Sequence, residues 1–594
     1  MRVSITDHRC IDLDALTIGR LVTHSAILVV TLTVGAAGQE AATPRLRLEL
    51  DEKRPQASWL SWDTEKGTRA DTNLLRADSG LGLRVRINDR WQAGSDFHTQ
   101  VDPSAPSGKQ YTLSVGSSAT FSWQLLPDSD RLTMTFTAAG PVRESLDAVE
   151  IVFPFNPRVT ATTVLPSQRS EDGTFELPAI ISAPDFGQML IGESQGRRLK
   201  ARLEGDRRKK TRQVNFYVRL PEVVADNPCT LTLTPIWLDP PTGLQDTSLW
   251  RLARRGWFGA FQPTAAWGDP HADRQYGAPA GVLANNVISD PASCALWFYA
   301  DQALWTPELA PGVSIANVVR DTTEWWLDER RLPSGEMICY WDKTGFLDAC
   351  AGPLIASWDY VEATGDDKWL AGRIEQLESV AEFLAERDVD DDGLVEARRS
   401  GNRGTLKQPQ RSCCWWDGVN YGHKCGYSNA VIYRAWRCLA DLEQRLRRTE
   451  QASRYTRLAN RLKETYAKTL HNSETGWLAG WKSADGELHD YGFTAVNALA
   501  IEYGLVEPDQ GRQILKRLWQ KMADAGFEKI ELGIPSSLIP IRRADYLITT
   551  LAGGPKREDG SDTFGQYMNG GISAGFTLHF LAAHYVVGQQ ERAD

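Results

Sequence analysis

The chain has 594 residues, a formal net charge of −10 and a sequence pI near 5.6, with 42% hydrophobic and 24% charged residues. That length exceeds what one hydrophobic core organises and asks for at least two domains, while the hydrophobic content without low-complexity tracts excludes extended disorder. The acidic balance argues against a nucleic-acid partner, which would need clustered Lys and Arg.

Residues 1–40 differ from the rest. Arg20 precedes an apolar run, 26–34, that ends in the small residues Gly35, Ala36, Ala37 and Gly38, the build of a secretory signal peptide or, failing cleavage, an N-terminal anchor. The run is short for a bilayer span, and no later segment approaches eighteen apolar residues. The expectation is an exported protein, periplasmic or extracellular, with no membrane span in its mature form.

From 45 to 240 the sequence alternates with period two in runs such as 81–87, 131–137, 149–153 and 229–234, rich in Val, Thr, Ile and Phe and punctuated by Asp, Gly, Pro and Asn. This predicts an antiparallel β-sandwich without a catalytic constellation. After Pro240 and Pro241 the period lengthens. Helices are predicted at 291–303, 314–331, 346–363, 367–387, 425–446, 450–470, 488–503, 508–525 and 571–587, many with apolar residues at i, i+3, i+4 and i+7. Residues 250–590 have room for about twelve helices of ordinary length, which suggests six hairpins closed into an all-α (α/α)6 toroid with long loops on one rim.

Those loops carry the chemistry. The 21 Trp residues are a surplus, and many stand beside Gly, Asp or Asn, where an aromatic face serves core packing or a sugar ring. The segment 411–424 places Asp417 next to Trp416, followed by Asn420, Tyr421, His423 and Lys424. A carboxyl partly desolvated by aromatic neighbours has the raised pKa of a working acid, although Asp before Gly also forms turns. A second loop, ahead of the last predicted helix, holds Glu558, Asp559 and Asp562, then Tyr567 and Asn569. Trp341 with Tyr340, and Trp481 ahead of the acids at 485–490, are further sugar-binding candidates.

The run 388–396 has acids at alternate positions and a central Gly393, as a calcium loop begins, but its twelfth position is Arg399 where a bidentate Glu is needed. No cofactor is therefore expected, calcium being the one metal the sequence raises. Eight Cys lie beyond the leader, an even number that permits local disulfides, but none forms a CxxC pair, so no zinc site is expected.

Asp392-Gly393-Leu394, Trp416-Asp417 and the stretch from Gly422-His423-Lys424 to Ala435 resemble the six-hairpin glycosidases of the processing α-glucosidase and trehalase group. The likeness covers about 250–590 and is most specific at 388–437. It implies an (α/α)6 barrel behind a β-sandwich, an oligosaccharide or polysaccharide substrate, and inversion with Asp417 as proton donor. The segment 567–571 resembles a Tyr-Glu-Asn-Gly-Gly pattern of relatives, except that Met568 replaces the Glu. The general base then falls to the 558–562 loop, with Asp562 preferred. Two alternatives remain: a polysaccharide lyase using Tyr421, His423, Asn420 and Arg411, and a catalytically inactive sugar-binding protein, which Met568 would suit.

Overall fold

The computed structural model describes residues 40–235, apart from short connecting segments, and 314–593, apart from 339–345, 398–412, 415, 417–418, 528–532, 543–544, 546–563 and 567. By its internal contacts the chain divides into two units, Met1–Gly281 and Val282–Asp594.

The first unit is antiparallel β. One sheet runs in the order Glu40–Ala42, Leu46–Leu50, Gln56–Trp62, Leu81–Ile87, Leu146–Phe155, Gln213–Arg219, Lys200–Asp206 and Thr174–Glu176, with Arg90–Ala93 paired to Leu81–Ile87. The other runs Thr163–Leu165, Ala179–Ala183, Gly187–Glu193, Cys229–Pro235, Leu132–Ala138, Ala119–Pro127, Lys109–Val115 and His98–Asp102. Alternate residues of Leu81–Ile87 and of Cys229–Pro235 are buried, as period two demands. Leu83, Val85, Ile151, Phe153 and Phe216 of the first sheet meet Leu113, Met134, Phe136, Ile191 and Leu231 of the second in one core. On the opposite face of the first sheet, Glu150 is buried beneath Arg84 and Arg202, whose Nε and Nη1 atoms donate to it at 2.8 and 2.6 Å. The run predicted at 81–87 matches its strand, and those at 131–137, 149–153 and 229–234 differ from theirs by a few terminal residues.

The second unit is helical: α1 (Ile315–Glu329), α2 (Leu347–Thr364), α3 (Asp367–Ala385), α4 (Gly426–Arg445), α5 (Thr449–Leu470), α6 (Thr494–Glu502), α7 (Pro508–Asp524) and α8 (Ala574–Val586). Two kinds of helix alternate. In α2, α4 and α6, 14 of 18, 15 of 20 and 8 of 9 residues are buried, whereas α3, α5 and α7 bury 7 of 19, 6 of 22 and 5 of 17. The first set is therefore internal and the second packs by one stripe. Asp359 of α2, Arg434 of α4, Glu502 of α6 and His579 of α8 line a common cavity of about 330 Å³. The helix predicted at 488–503 begins only at Thr494, because Leu488–His489 pairs as a strand with Trp481–Lys482. The helix predicted at 291–303 lies outside the described residues.

A repeated contact sets each hairpin. The fourth residue of α2, α4, α6 and α8 accepts a hydrogen bond from a main-chain N–H in the segment that follows the helix before the hairpin. Cys350 of α2 accepts from Met337 (N···Sγ 3.4 Å), Asn429 of α4 from Val395 (2.8 Å), Asn497 of α6 from Leu478 (2.8 Å) and Thr577 of α8 from Ile534 (3.0 Å). The two asparagines close the clamp from both sides. Asn429 Nδ2 donates to the carbonyls of Val395 and Cys425, both at 3.0 Å, and Asn497 Nδ2 to those of Leu478 (3.1 Å) and Phe493 (2.9 Å). Removing either amide strands buried main-chain groups. Asn429→Ala and Asn497→Ala are each expected to destabilise by about 2–4 kcal/mol, read as a lowered urea midpoint, with the exposed control Gln520→Ala unchanged.

Candidate active-site rim

Two short strands, Lys424–Cys425 and Trp481–Lys482, bring the segment after Asp417 against the hairpin 477–491. The approach is close because both facing residues are glycines. A Cβ on Gly426 would stand 2.9 Å from Val496 Cγ1 and 3.0 Å from the Gly480 carbonyl, and one on Gly480 would meet Phe493 at 2.5 Å.

Beneath this junction lies an aromatic cluster. Trp416 stacks on Phe576 of α8 (centroids 4.7 Å apart) and meets Tyr421 and Phe493 edge-on at 5.5 and 5.7 Å. Tyr421 packs on Trp481 at 4.9 Å, and Trp481 lies parallel to the His489 ring at 4.6 Å. Trp416, Tyr421 and Trp481 are each 0% exposed, so these three sugar-binding candidates have their rings within the core of the helical unit. The Trp416 indole N–H and the Tyr421 hydroxyl make no hydrogen bond.

A polar network joins the same elements. The Asp545 carboxylate accepts from His489 Nδ1 at 2.9 Å, from Arg542 Nε and Nη2 at 3.1 and 2.9 Å, and from the Tyr491 hydroxyl. Burial pushes its pKa up, but the bonds from His489, Tyr491 and Arg542 outweigh burial and hold it below the ordinary carboxylate range. The Asp545 carbonyl accepts from Asn420 N–H at 2.8 Å, and Arg542 pairs with Glu487 at 2.8 Å. Neither Arg542 nor Asp545 stands out in the sequence. The signal in the sequence is an acid three residues after an Arg, in Arg542-Arg543-Ala544-Asp545. Asp545→Ala is expected to cost about 3 kcal/mol by leaving Arg542 and His489 without their acceptor. The thermal midpoint should fall, with Asp545→Asn intermediate.

Two cations from elsewhere in the chain pair with the acidic run 388–396. Lys424 Nζ reaches Asp390 at 2.7 Å, Glu396 at 3.3 Å and Asp392, while Arg461 pairs with Asp391 at 2.6 Å. The run is thus an ion-pair cluster around an ammonium group, and Lys424, a substrate-binding candidate by sequence, is its centre. Burial and the neighbouring Asp390 charge push Glu396 up to about 7, against a bond from Val389 N–H and the Lys424 charge. A carboxyl whose pKa is raised by folding supplies stability that is fully present below its unfolded pKa and lost as pH rises through the folded value. Between about pH 4.5 and 7 the wild type should therefore lose more stability than Glu396→Gln, as thermal midpoints across that window would show.

The remaining candidates divide. Asn420 is buried, and His423 sits at a positive φ of 36° with its carbonyl bonded to Ala397 N–H at 2.8 Å. Burial and then the Lys424 charge lower the His423 pKa, keeping it neutral. Asn569 is buried and accepts from Ile541 N–H at 2.9 Å, bracing the segment next to Asp545. Asp417, Asp562, Asp559, Glu558, Tyr340, Trp341 and Tyr567 lie outside the described residues. The six described cysteines, Cys229, Cys350, Cys413, Cys414, Cys425 and Cys438, are all buried, and none is in a disulfide.

Residues 301–535 match the family model of the bacterial α-L-rhamnosidase six-hairpin glycosidase domain. The helical region is thus of the six-hairpin glycosidase kind, and the processing α-glucosidase and trehalase group is not singled out. The match takes in Asp417 and stops short of 558–562. No curated protein matches the chain by sequence. Among solved structures it is similar to a GH78 family rhamnosidase of a Bacillus species, with 12% identity over 73% of this chain and 42% of that one and a TM-score of 0.34. It is similar to a rhamnosidase from Klebsiella oxytoca with rhamnose bound, with 11% identity over 86% and 85% and a TM-score of 0.36. It is also similar to a GH63 mannosylglycerate hydrolase from Thermus thermophilus, with 12% identity over 54% and 88% and a TM-score of 0.38. The chain spans less than half the length of the Bacillus enzyme.

Proposed function

We propose that this protein is an exported glycoside hydrolase that cleaves α-L-rhamnosyl or related linkages with inversion. The observation that carries the reading is the six-hairpin glycosidase match over 301–535, with Asp417 in the loop ahead of α4. The described neighbours of Asp417 support it. Trp416 is fixed in the aromatic cluster, Val419 N–H bonds the Trp416 carbonyl at 3.0 Å, and Asn420 is tied to Asp545. A proton donor to a leaving oxygen needs flanking residues anchored in this way.

In this mechanism Asp417 protonates the glycosidic oxygen while an acid of the second loop, Asp562 before Asp559 or Glu558, activates water on the opposite face of the sugar. Inversion requires the two carboxyls to stand roughly 6.5–9.5 Å apart. Asp545, held ionised by three donors, suits neither role and serves to position the rim.

The test is hydrolysis of aryl α-L-rhamnoside, α-glucoside and α-mannoside by the purified chain and by Asp417→Asn and Asp562→Asn. Both variants should lose on the order of 10²–10⁴-fold in kcat, and NMR should show the inverted anomer first. Unimpaired turnover in Asp417→Asn would overturn the assignment, and an ultraviolet-absorbing product formed from a polyuronate would identify a lyase instead.

A further inference from the structure

Three thiols that neither the fold nor the proposed reaction explains meet at the root of the Asp417 loop. Cys413 and Cys414 come from the segment that leads into Trp416 and Asp417, and Cys425 is the N-cap of α4. Their Sγ atoms all lie within 4.8 Å of one another, and all three residues are buried. Cys425 Sγ accepts from Ser428 N–H at 3.3 Å, which aims the positive end of α4 at the cluster, and Cys413 Sγ lies 3.7 Å from Ser428 Oγ. A second feature adjoins the thiols. Tyr421 is fully buried, its hydroxyl has no hydrogen-bond partner, and the three thiols act electrostatically on it.

We propose that Cys413, Cys414 and Cys425 form a closed site for one thiophilic d¹⁰ cation, Zn²⁺ or Cu⁺, with the Tyr421 hydroxyl as the oxygen available to complete a fourfold shell. Soft thiolates select these ions over the hard cations that carboxylates hold. Metal–sulfur bonds of about 2.3 Å put the sulfurs about 4 Å apart, so the thiols need to close in by less than about 1 Å. Each thiol that binds releases its proton to solvent, and no electron is transferred. The N-terminus of α4 compensates the resulting negative charge. No histidine or carboxylate joins the group among the described residues, which favours three-coordinate Cu⁺ or Zn²⁺ with oxygen in the fourth place. Spacing along the chain conceals the site, because 413, 414 and 425 form no CxxC pair. Bound metal would staple the loop that carries Asp417 to the first turn of α4.

The test uses the full-length protein, reduced and stripped of metal, titrated separately with Zn²⁺ against a chromogenic chelator and with Cu⁺ against bicinchoninate. One equivalent of at least one ion should be retained. Its K-edge absorption should show three sulfur scatterers near 2.3 Å, with an added oxygen in the zinc arm. Cys425→Ser and Cys414→Ser should each weaken binding at least tenfold, while Cys438→Ser, in the body of α4, should not. The absorption spectrum of the wild type decides the question even where a variant fails to fold. Failure to retain either ion would overturn the site, as would a shell without sulfur, or a chain isolated two daltons lighter with Cys425 disulfide-linked to Cys413 or Cys414.

Discussion

The helical unit depends on one recurring interaction: the fourth side chain of a helix holding the main chain of the segment that enters its hairpin. It fixes two points on the chain and leaves whatever lies between them free to vary. The spans differ, from 13 residues at Met337–Cys350 and 19 at Leu478–Asn497 to 34 at Val395–Asn429 and 43 at Ile534–Thr577. The two long spans are the ones that contain Asp417 and the 558–562 acids. Loops this long tolerate length and sequence change because their ends are pinned independently of their contents.

Periodicity made much of this architecture legible. The alternation at 81–87 and the helical repeat at 367–387 need no long-range information, since each reports a face turned toward a core. The clamps were invisible, because Cys, Asn and Thr share no pattern that a sequence shows and meet their partners across 13 to 43 residues. The rim was legible as a place more than as an arrangement. Trp beside Gly or Asp marks a tight loop, but the same residues serve a stacking platform or a buried floor. In Trp416 and Trp481 the structure shows the floor. The segment with Arg542 and Asp545 lacks the Trp and Gly that drew notice elsewhere, and its role comes from what His489 and Tyr491 bring to it.

Two chemistries meet under the rim and need each other. The stacked rings of Trp416, Tyr421, Phe493 and Phe576 exclude water, which strengthens electrostatic effects nearby. The Asp545 network places a fixed, fully compensated charge beside them. An apolar floor alone would let the loops slide, and a polar network alone would be solvated. Together they anchor the described residues on either side of position 417.

The ammonium group of Lys424 within the 388–396 carboxylates has a consequence for where such a protein can work. Loops of this composition in other settings are shaped by a dissolved ion, and their shape then follows the supply of that ion. Here the counter-charge is covalently part of the chain, one residue from the N-cap of α4. It arrives with the fold. A rim built this way carries part of its counter-charge wherever the chain goes.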